Sequence, residues 1–171
     1  MTILFMGTPE FALPSLRILL EHGYQIPGVV TAPDKPQGRG QKVALGPVKR
    51  FALENSLPVF QPENLNDRRF IDEIARLRTD LIVVVAFRIL PPEVYQLARL
   101  GAFNLHASLL PKYRGAAPIH WAIINGEQET GVTTFFLRET VDTGSIVLQA
   151  RVRIGADETA GELHDKLADV G

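Results

Sequence analysis

Cysteine is missing from all 171 positions, so neither disulfides nor thiolate-held metal support the chain, and nothing argues for an oxidising compartment. The cytoplasm is the expected location. A long hydrophobic run is missing as well. The opening Met1-Thr-Ile-Leu-Phe-Met-Gly7 has no basic segment, and its apolar stretch is far shorter than a signal core or a membrane span. Charge of one sign is also scarce: 18 Lys and Arg face 19 Asp and Glu, for a formal net charge of −1. With a pI of about 6.4, no global basic surface announces a nucleic-acid partner. The Gly-x-Gly-x-x-Gly spacing of a dinucleotide site does not occur around Met6-Gly-Thr-Pro-Glu10, so no nicotinamide cofactor is expected. His22, His120 and His164 form no ligand pattern with one another or with nearby acids, and no metal is expected.

What is present reads as one α/β domain covering 1–171. Hydrophobic residues make up 46% of the chain, enough for a single well-buried core. Short apolar runs at 3–6, 28–31, 58–60, 81–86 and 102–106 alternate with stretches of helical period at 9–22, 47–55 and 67–77. Strands alternating with helices imply a mostly parallel sheet with helices on both faces. The run Leu81-Ile-Val-Val-Val-Ala86 is apolar on both faces, as a central strand is. Two further strand-like runs, 130–137 and 145–154, flank an Asp142-Thr-Gly144 turn and predict an antiparallel edge. Helices are expected at 116–124, with the Trp121 ring packed inward, and at 159–170, where Gly171 can cap.

The chemistry concentrates in Asn104-Leu-His-Ala-Ser-Leu-Leu-Pro-Lys-Tyr-Arg-Gly115. Side chains on a strand alternate faces, so Asn104 and His106 point the same way at its carboxyl end. An amide donor beside an imidazole can hold an oxyanion and move a proton, as acyl-type transfer to an amine requires. Asp142 lies in a later turn, and a carboxylate near the imidazole would orient it and favour its charged form. Spacing alone leaves open whether Asp142 reaches His106 or merely forms a turn. Ser108-Leu-Leu-Pro111 either lines a pocket for a flat heterocycle or anchors its loop to the core. Lys112, Tyr113 and Arg114 are either a grip for an anionic substrate or a solvated loop face.

The stretch Thr31-Ala-Pro-Asp-Lys-Pro-Gln-Gly-Arg-Gly-Gln-Lys42 is too rich in glycine and proline for helix or strand, and is expected to be a projecting, mobile loop. From Thr31 to Arg50, Lys35, Arg39, Lys42, Lys49 and Arg50 stand against Asp34 alone. Such a loop either contacts phosphates and a single-stranded end or is a solvated linker.

Through Asn104-Leu-His106, Ser108-Leu-Leu-Pro111, Arg114-Gly115 and Asp142-Thr-Gly144 the chain resembles the folate-dependent formyltransferases. Gly7-Thr-Pro-Glu-Phe11, Pro33-Asp-Lys-Pro-Gln-Gly-Arg-Gly40 and Arg114-Gly-Ala-Ala-Pro-Ile119 resemble that family's tRNA-directed branch, and the similarity spans nearly the whole chain. The resemblance implies a Rossmann-like formyltransferase fold and formyl transfer from 10-formyltetrahydrofolate to the amino group of methionyl initiator tRNA, by a cytoplasmic monomer. It implies catalytic roles for Asn104, His106 and Asp142. It also implies folate contacts from Ser108, Leu109, Leu110 and Pro111 and from the loop of Phe87, Arg88 and Leu90, and tRNA contacts from Lys35, Arg39 and Lys42, with Arg39 foremost. Arg88 departs from the family pattern, since many relatives carry a small residue there. Relatives also continue into a C-terminal barrel domain that this chain lacks. The alternatives are a nucleotide-sugar or small ribonucleotide amine as acceptor, or a folate- or RNA-binding module without turnover.

Overall fold

A computed structural model of the chain describes residues 1–34, 36–37, 42–138, 140, 142 and 144–171, with backbone alone at 36, 37, 42 and 43. The fold is α/β, a seven-stranded, mostly parallel sheet with an antiparallel edge. The chain divides into two compact units, Met1–Ala102 and Phe103–Gly171.

The first unit runs β1 (Thr2–Gly7), a single 3-10 turn (Glu10–Ala12), α1 (Leu13–Glu21), β2 (Gln25–Val30), β3 (Pro36–Gln37), β4 (Lys42–Val43), α2 (Pro47–Glu54), β5 (Val59–Phe60), α3 (Arg68–Arg76), β6 (Leu81–Val85) and α4 (Pro92–Tyr95). Strands β5, β2, β1 and β6 lie side by side in that order, all parallel. Phe5 pairs with both Val29 and Val83, and all three are buried. Their apolar runs are continuous because both faces of a parallel strand are covered by crossover helices. Helix α1 starts later than the expected Pro9, because Pro9 is extended and the next three residues make a 3-10 turn. The expectation that 31–42 holds no strand is corrected: Pro36 and Gln37 pair antiparallel with Val43 and Lys42. Two residues on each side suffice for such a pairing, and no apolar pattern is needed to announce it. Helix α4, a single turn opened by Pro92, was not expected.

The second unit takes up β7 (Ala102–His106), then α5 (Pro118–Ile124), β8 (Glu129–Phe136), β9 (Ile146–Arg153) and α6 (Ala160–Val170). Here β8 pairs antiparallel with both β7 and β9, as the two strand-like runs around Asp142 predict. The Thr159 side chain accepts from the Glu162 backbone N–H while Glu162 reaches back to Thr159, a capping box that starts α6. Leu163 and Leu167 then bury the helix's apolar stripe. Trp121 does not pack inward. It is 50% exposed, because of the seven residues of α5 only Ala122 is buried. Among the described residues, no helix is long and apolar enough to cross a membrane.

Candidate active site

His106 ends β7 opposite Thr133 of β8, and Asn104, two residues earlier, shares its face. Asn104 is half-buried, and its amide has no hydrogen-bond partner among the described residues. The imidazole is held at one end, with Nε2 2.8 Å from the carbonyl oxygen of Tyr113. A carbonyl only accepts, so Nε2 carries the hydrogen and donates. That leaves Nδ1 as the ring atom open to proton exchange. It faces Asp142 Oδ2 at 3.9 Å, and each of the two side chains is 9% exposed, so little bulk water competes for that proton.

Asp142 is brought there by three consecutive residues. Tyr113 holds the imidazole, the Arg114 Nε donates to the Asp142 carbonyl oxygen at 3.1 Å, and the Gly115 N–H donates to Asp142 Oδ2 at 2.8 Å. The left-handed backbone of Asp142, φ 53°, is one that aspartate tolerates better than bulkier residues. Gly144 closes the same turn by close approach. A Cβ there would lie 1.5 Å from the carbonyl oxygen of Phe136, so only glycine fits. Asp142 therefore sits in a turn and also comes within 3.9 Å of His106.

The 108–111 loop is fastened to the antiparallel strands. Thr133 Oγ1 donates to the Ser108 carbonyl at 2.6 Å and accepts from the Leu110 N–H at 3.1 Å and from Gln149 Nε2 at 2.9 Å. The same Gln149 nitrogen donates to the Leu110 carbonyl at 3.0 Å. Ser108 is wholly buried and its hydroxyl donates to the Lys112 carbonyl at 2.6 Å, so that hydroxyl is engaged inside the loop. Leu110 is buried, and Leu109 covers Gly131, where a Cβ would stand 2.6 Å from Leu109 Cδ2. Sequence reasoning missed Thr133 and Gln149. The signal available was their register, since Thr133 lies across from His106 and Gln149 across from Thr133.

The remaining expected site residues belong to the first unit. Phe87 is half-buried and Leu90 buried. Arg88 stacks its guanidinium 5.2 Å from the Phe87 ring centre and donates to the carbonyls of Pro62 and Glu63 at 2.7 and 2.9 Å. Its Nε is buried without a partner among the described residues, and burial lowers its pKa. Lys35 and Arg39 lie outside the described residues, as does the Lys42 side chain. Of the other cations near that loop, Lys49 forms an ion pair with Asp34, which also accepts from Gln61 at 3.1 Å. Those two bonds hold the Asp34 carboxyl below its ordinary pKa. Lys112 is likewise paired, with Glu127. The described residues contain no group of three or more His, Cys, Asp or Glu arranged to hold a metal.

In this α/β sheet with an antiparallel edge, β7 carries the Asn104 amide and the His106 imidazole on one face, and the Asp142 carboxylate stands 3.9 Å from that imidazole. The family model described as formyl transferase matches residues 1–171, and the chain belongs to that family. It is 54% identical over 172 residues to the methionyl-tRNA formyltransferase of Clostridioides difficile (strain 630), covering 100% of this chain and 56% of that protein. It is also 54% identical over 169 residues to the protein of the same name from Bacteroides thetaiotaomicron, covering 99% of this chain and 52% of that one. The chain therefore spans about half the length of the curated relatives it matches. Among solved structures, phosphoribosylglycinamide formyltransferase from Bacillus halodurans shares the fold at a TM-score of 0.81 and 19% identity, over 98% of this chain and 87% of that one. The sugar 3N-formyl transferase WlaRD, solved in the presence of dTDP and 5-N-formyl-THF, aligns at a TM-score of 0.69 and 25% identity, over 98% of this chain and 57% of that one.

Proposed function

We propose that the chain is the catalytic portion of an enzyme that transfers a formyl group from 10-formyltetrahydrofolate to the amino group of methionine on initiator tRNA. The observation that carries this reading is the imidazole of His106, tied at Nε2 to Tyr113 and presenting Nδ1 to Asp142 at 3.9 Å, on the strand face that also bears Asn104. The neutral amine attacks the formyl carbon and a new N–C bond forms. The carbonyl oxygen becomes an oxyanion, which the Asn104 amide and a protonated His106 Nδ1 stabilise as donors. Asp142 offsets the charge of that imidazolium and, directly or through water, accepts the proton leaving the attacking nitrogen. Collapse restores the carbonyl and breaks the bond to the folate nitrogen, which takes up a proton.

The tRNA acceptor is supported by the identity to relatives of that name over the whole chain, and by the basic residues Lys35, Arg39 and Lys42, which would meet its phosphates. Phe87, Arg88, Leu90 and the 108–111 loop would contact the folate. The work would take place where aminoacylated tRNA is made, in the cytoplasm. Single substitutions Asn104→Ala, His106→Ala and Asp142→Ala test the reading in a formyl-transfer assay with methionyl-tRNA. Each should cost about a hundredfold or more in turnover while leaving the melting curve in place. Three active variants would end the assignment. For the acceptor, deletion of 35–41 should abolish use of tRNA and spare folate binding, whereas a small-amine enzyme would keep its activity.

A further inference from the structure

We propose that the Tyr113 side chain, clamped by Glu127 and Asn125, sets the proton pattern of His106, which makes Tyr113 and Glu127 positioning residues for the transfer. The inference builds on the formyl-transfer reading, but its first readout does not depend on activity.

Tyr113 has φ 55°, in the left-handed region that a bulky side chain seldom enters unaided. Its hydroxyl is gripped from both sides. It donates to Glu127 Oε1 at 2.7 Å and accepts from Asn125 Nδ2 at 3.0 Å. The grip is anchored in the turn that ends α5, where the Asn125 N–H donates to the Trp121 carbonyl and the Glu127 N–H to that of Ala122, both at 3.0 Å. Lys112 adds a charged contact to Glu127 at 2.9 and 3.1 Å. With the ring pinned, the backbone of residue 113 cannot turn toward a relaxed conformation. Its carbonyl stays 2.8 Å from His106 Nε2 and keeps a hydrogen there. The neutral tautomer with a bare Nε2 is thereby excluded, and Nδ1 becomes the one nitrogen that gains and loses a proton, on the Asp142 side. Release of the ring would also disturb Arg114 and Gly115, which position Asp142. A tyrosine–glutamate bond at a loop would otherwise add stability alone. Here its consequence is read on a buried imidazole.

Nitrogen-15 NMR of the chain's four histidines tests this, with His106→Gln assigning the resonance. In the unsubstituted chain, His106 should show a slowly exchanging Nε2–H, as its 2.8 Å bond to the Tyr113 carbonyl requires. Tyr113→Phe keeps the ring and removes the clamp. It should shift the His106 nitrogens toward the averaged values of a free imidazole, with kcat lowered about tenfold and KM for the formyl donor within about twofold. Glu127→Ala should act in the same direction, whereas Glu127→Gln, which retains an oxygen acceptor, should restore the spectrum and most of kcat. Should Tyr113→Phe melt too readily, the Ala and Gln variants at 127, compared below both melting temperatures, decide the matter. Unchanged His106 nitrogens and unchanged kcat in Tyr113→Phe and Glu127→Ala overturn the inference. Altered nitrogens in a chain that transfers no formyl group even when unsubstituted uphold the control of the His106 proton pattern by Tyr113 and count against the transfer reading instead.

Discussion

At the scale of single residues, the site is held by contacts that leave little room for exchange. Thr133 makes three hydrogen bonds from one wholly buried hydroxyl, two of them to the backbone of the 108–111 loop. Thr133→Val keeps the shape and orphans the Leu110 N–H and the Ser108 carbonyl, so urea denaturation should report a loss of about 1–3 kcal/mol. Gly144→Ala is harsher, because the added methyl would meet the Phe136 carbonyl rather than a flexible side chain. The turn must move and Asp142 with it, so turnover should fall about as far as in Asp142→Ala, measured in the same transfer assay. Ser15 offers the opposite case. Its hydroxyl is buried in α1 with no partner among the described residues. Ser15→Ala removes that unmet group and raises helix propensity, so the melting temperature should stay level or rise.

At the scale of elements, local signals and long-range packing divide the work. Helix α6 is specified locally. Thr159 and Glu162 cap its start, Leu163 and Leu167 set its buried stripe, and the Gly171 N–H closes its end on the Leu167 carbonyl at 3.1 Å. Thr159→Ala should cost about 1 kcal/mol, visible as a lower melting temperature by circular dichroism, and a rise would contradict the capping role. Helix α5 obeys different rules. Pro118 starts it after a left-handed Ala117, and its Trp121 and Ile124 remain exposed. An aromatic within an apolar helical pattern reads as core, so the pattern alone misplaced Trp121. The α5 turn does its visible work at its C-terminal end, where Asn125 and Glu127 reach Tyr113.

At the scale of the whole molecule, carboxylates tie distant stretches together. Asp80 is held below its ordinary pKa first by the Thr2 backbone N–H and then by Arg99. Asp34 is lowered by Lys49 and Gln61, Glu127 by Lys112 and Tyr113, and Glu158 by Lys166 and the Gly155 N–H. A carboxyl whose folded pKa is depressed contributes stability that is complete above its unfolded value and fades as pH falls through the folded one. Thermal melts should therefore be flat near neutrality and decline on acidification from the ordinary carboxylate range downward. Asp80→Asn should flatten the upper part of that decline. A melting temperature that climbs with acid would show that these contacts do not govern the folded state.

The succession of strands and helices was legible along the chain because each depends on near neighbours: continuous apolar runs for β1 and β6, helical period for α2 and α3, a capping box for α6. Asn104 and His106 were placed on one face by strand alternation alone. The arrangement of Asp142 was not legible, since 36 positions separate it from His106 and folding brings the two to 3.9 Å, through the paired strands, Gly144, Arg114 and the Gly115 N–H. The same holds for Tyr113, whose carbonyl leaves no signature in a sequence because every residue has one. Composition and period act between residues close along the chain and so determine which elements form. Which nitrogen of the imidazole is open to a proton depends on atoms joined only through folding, and the tertiary structure alone decided it.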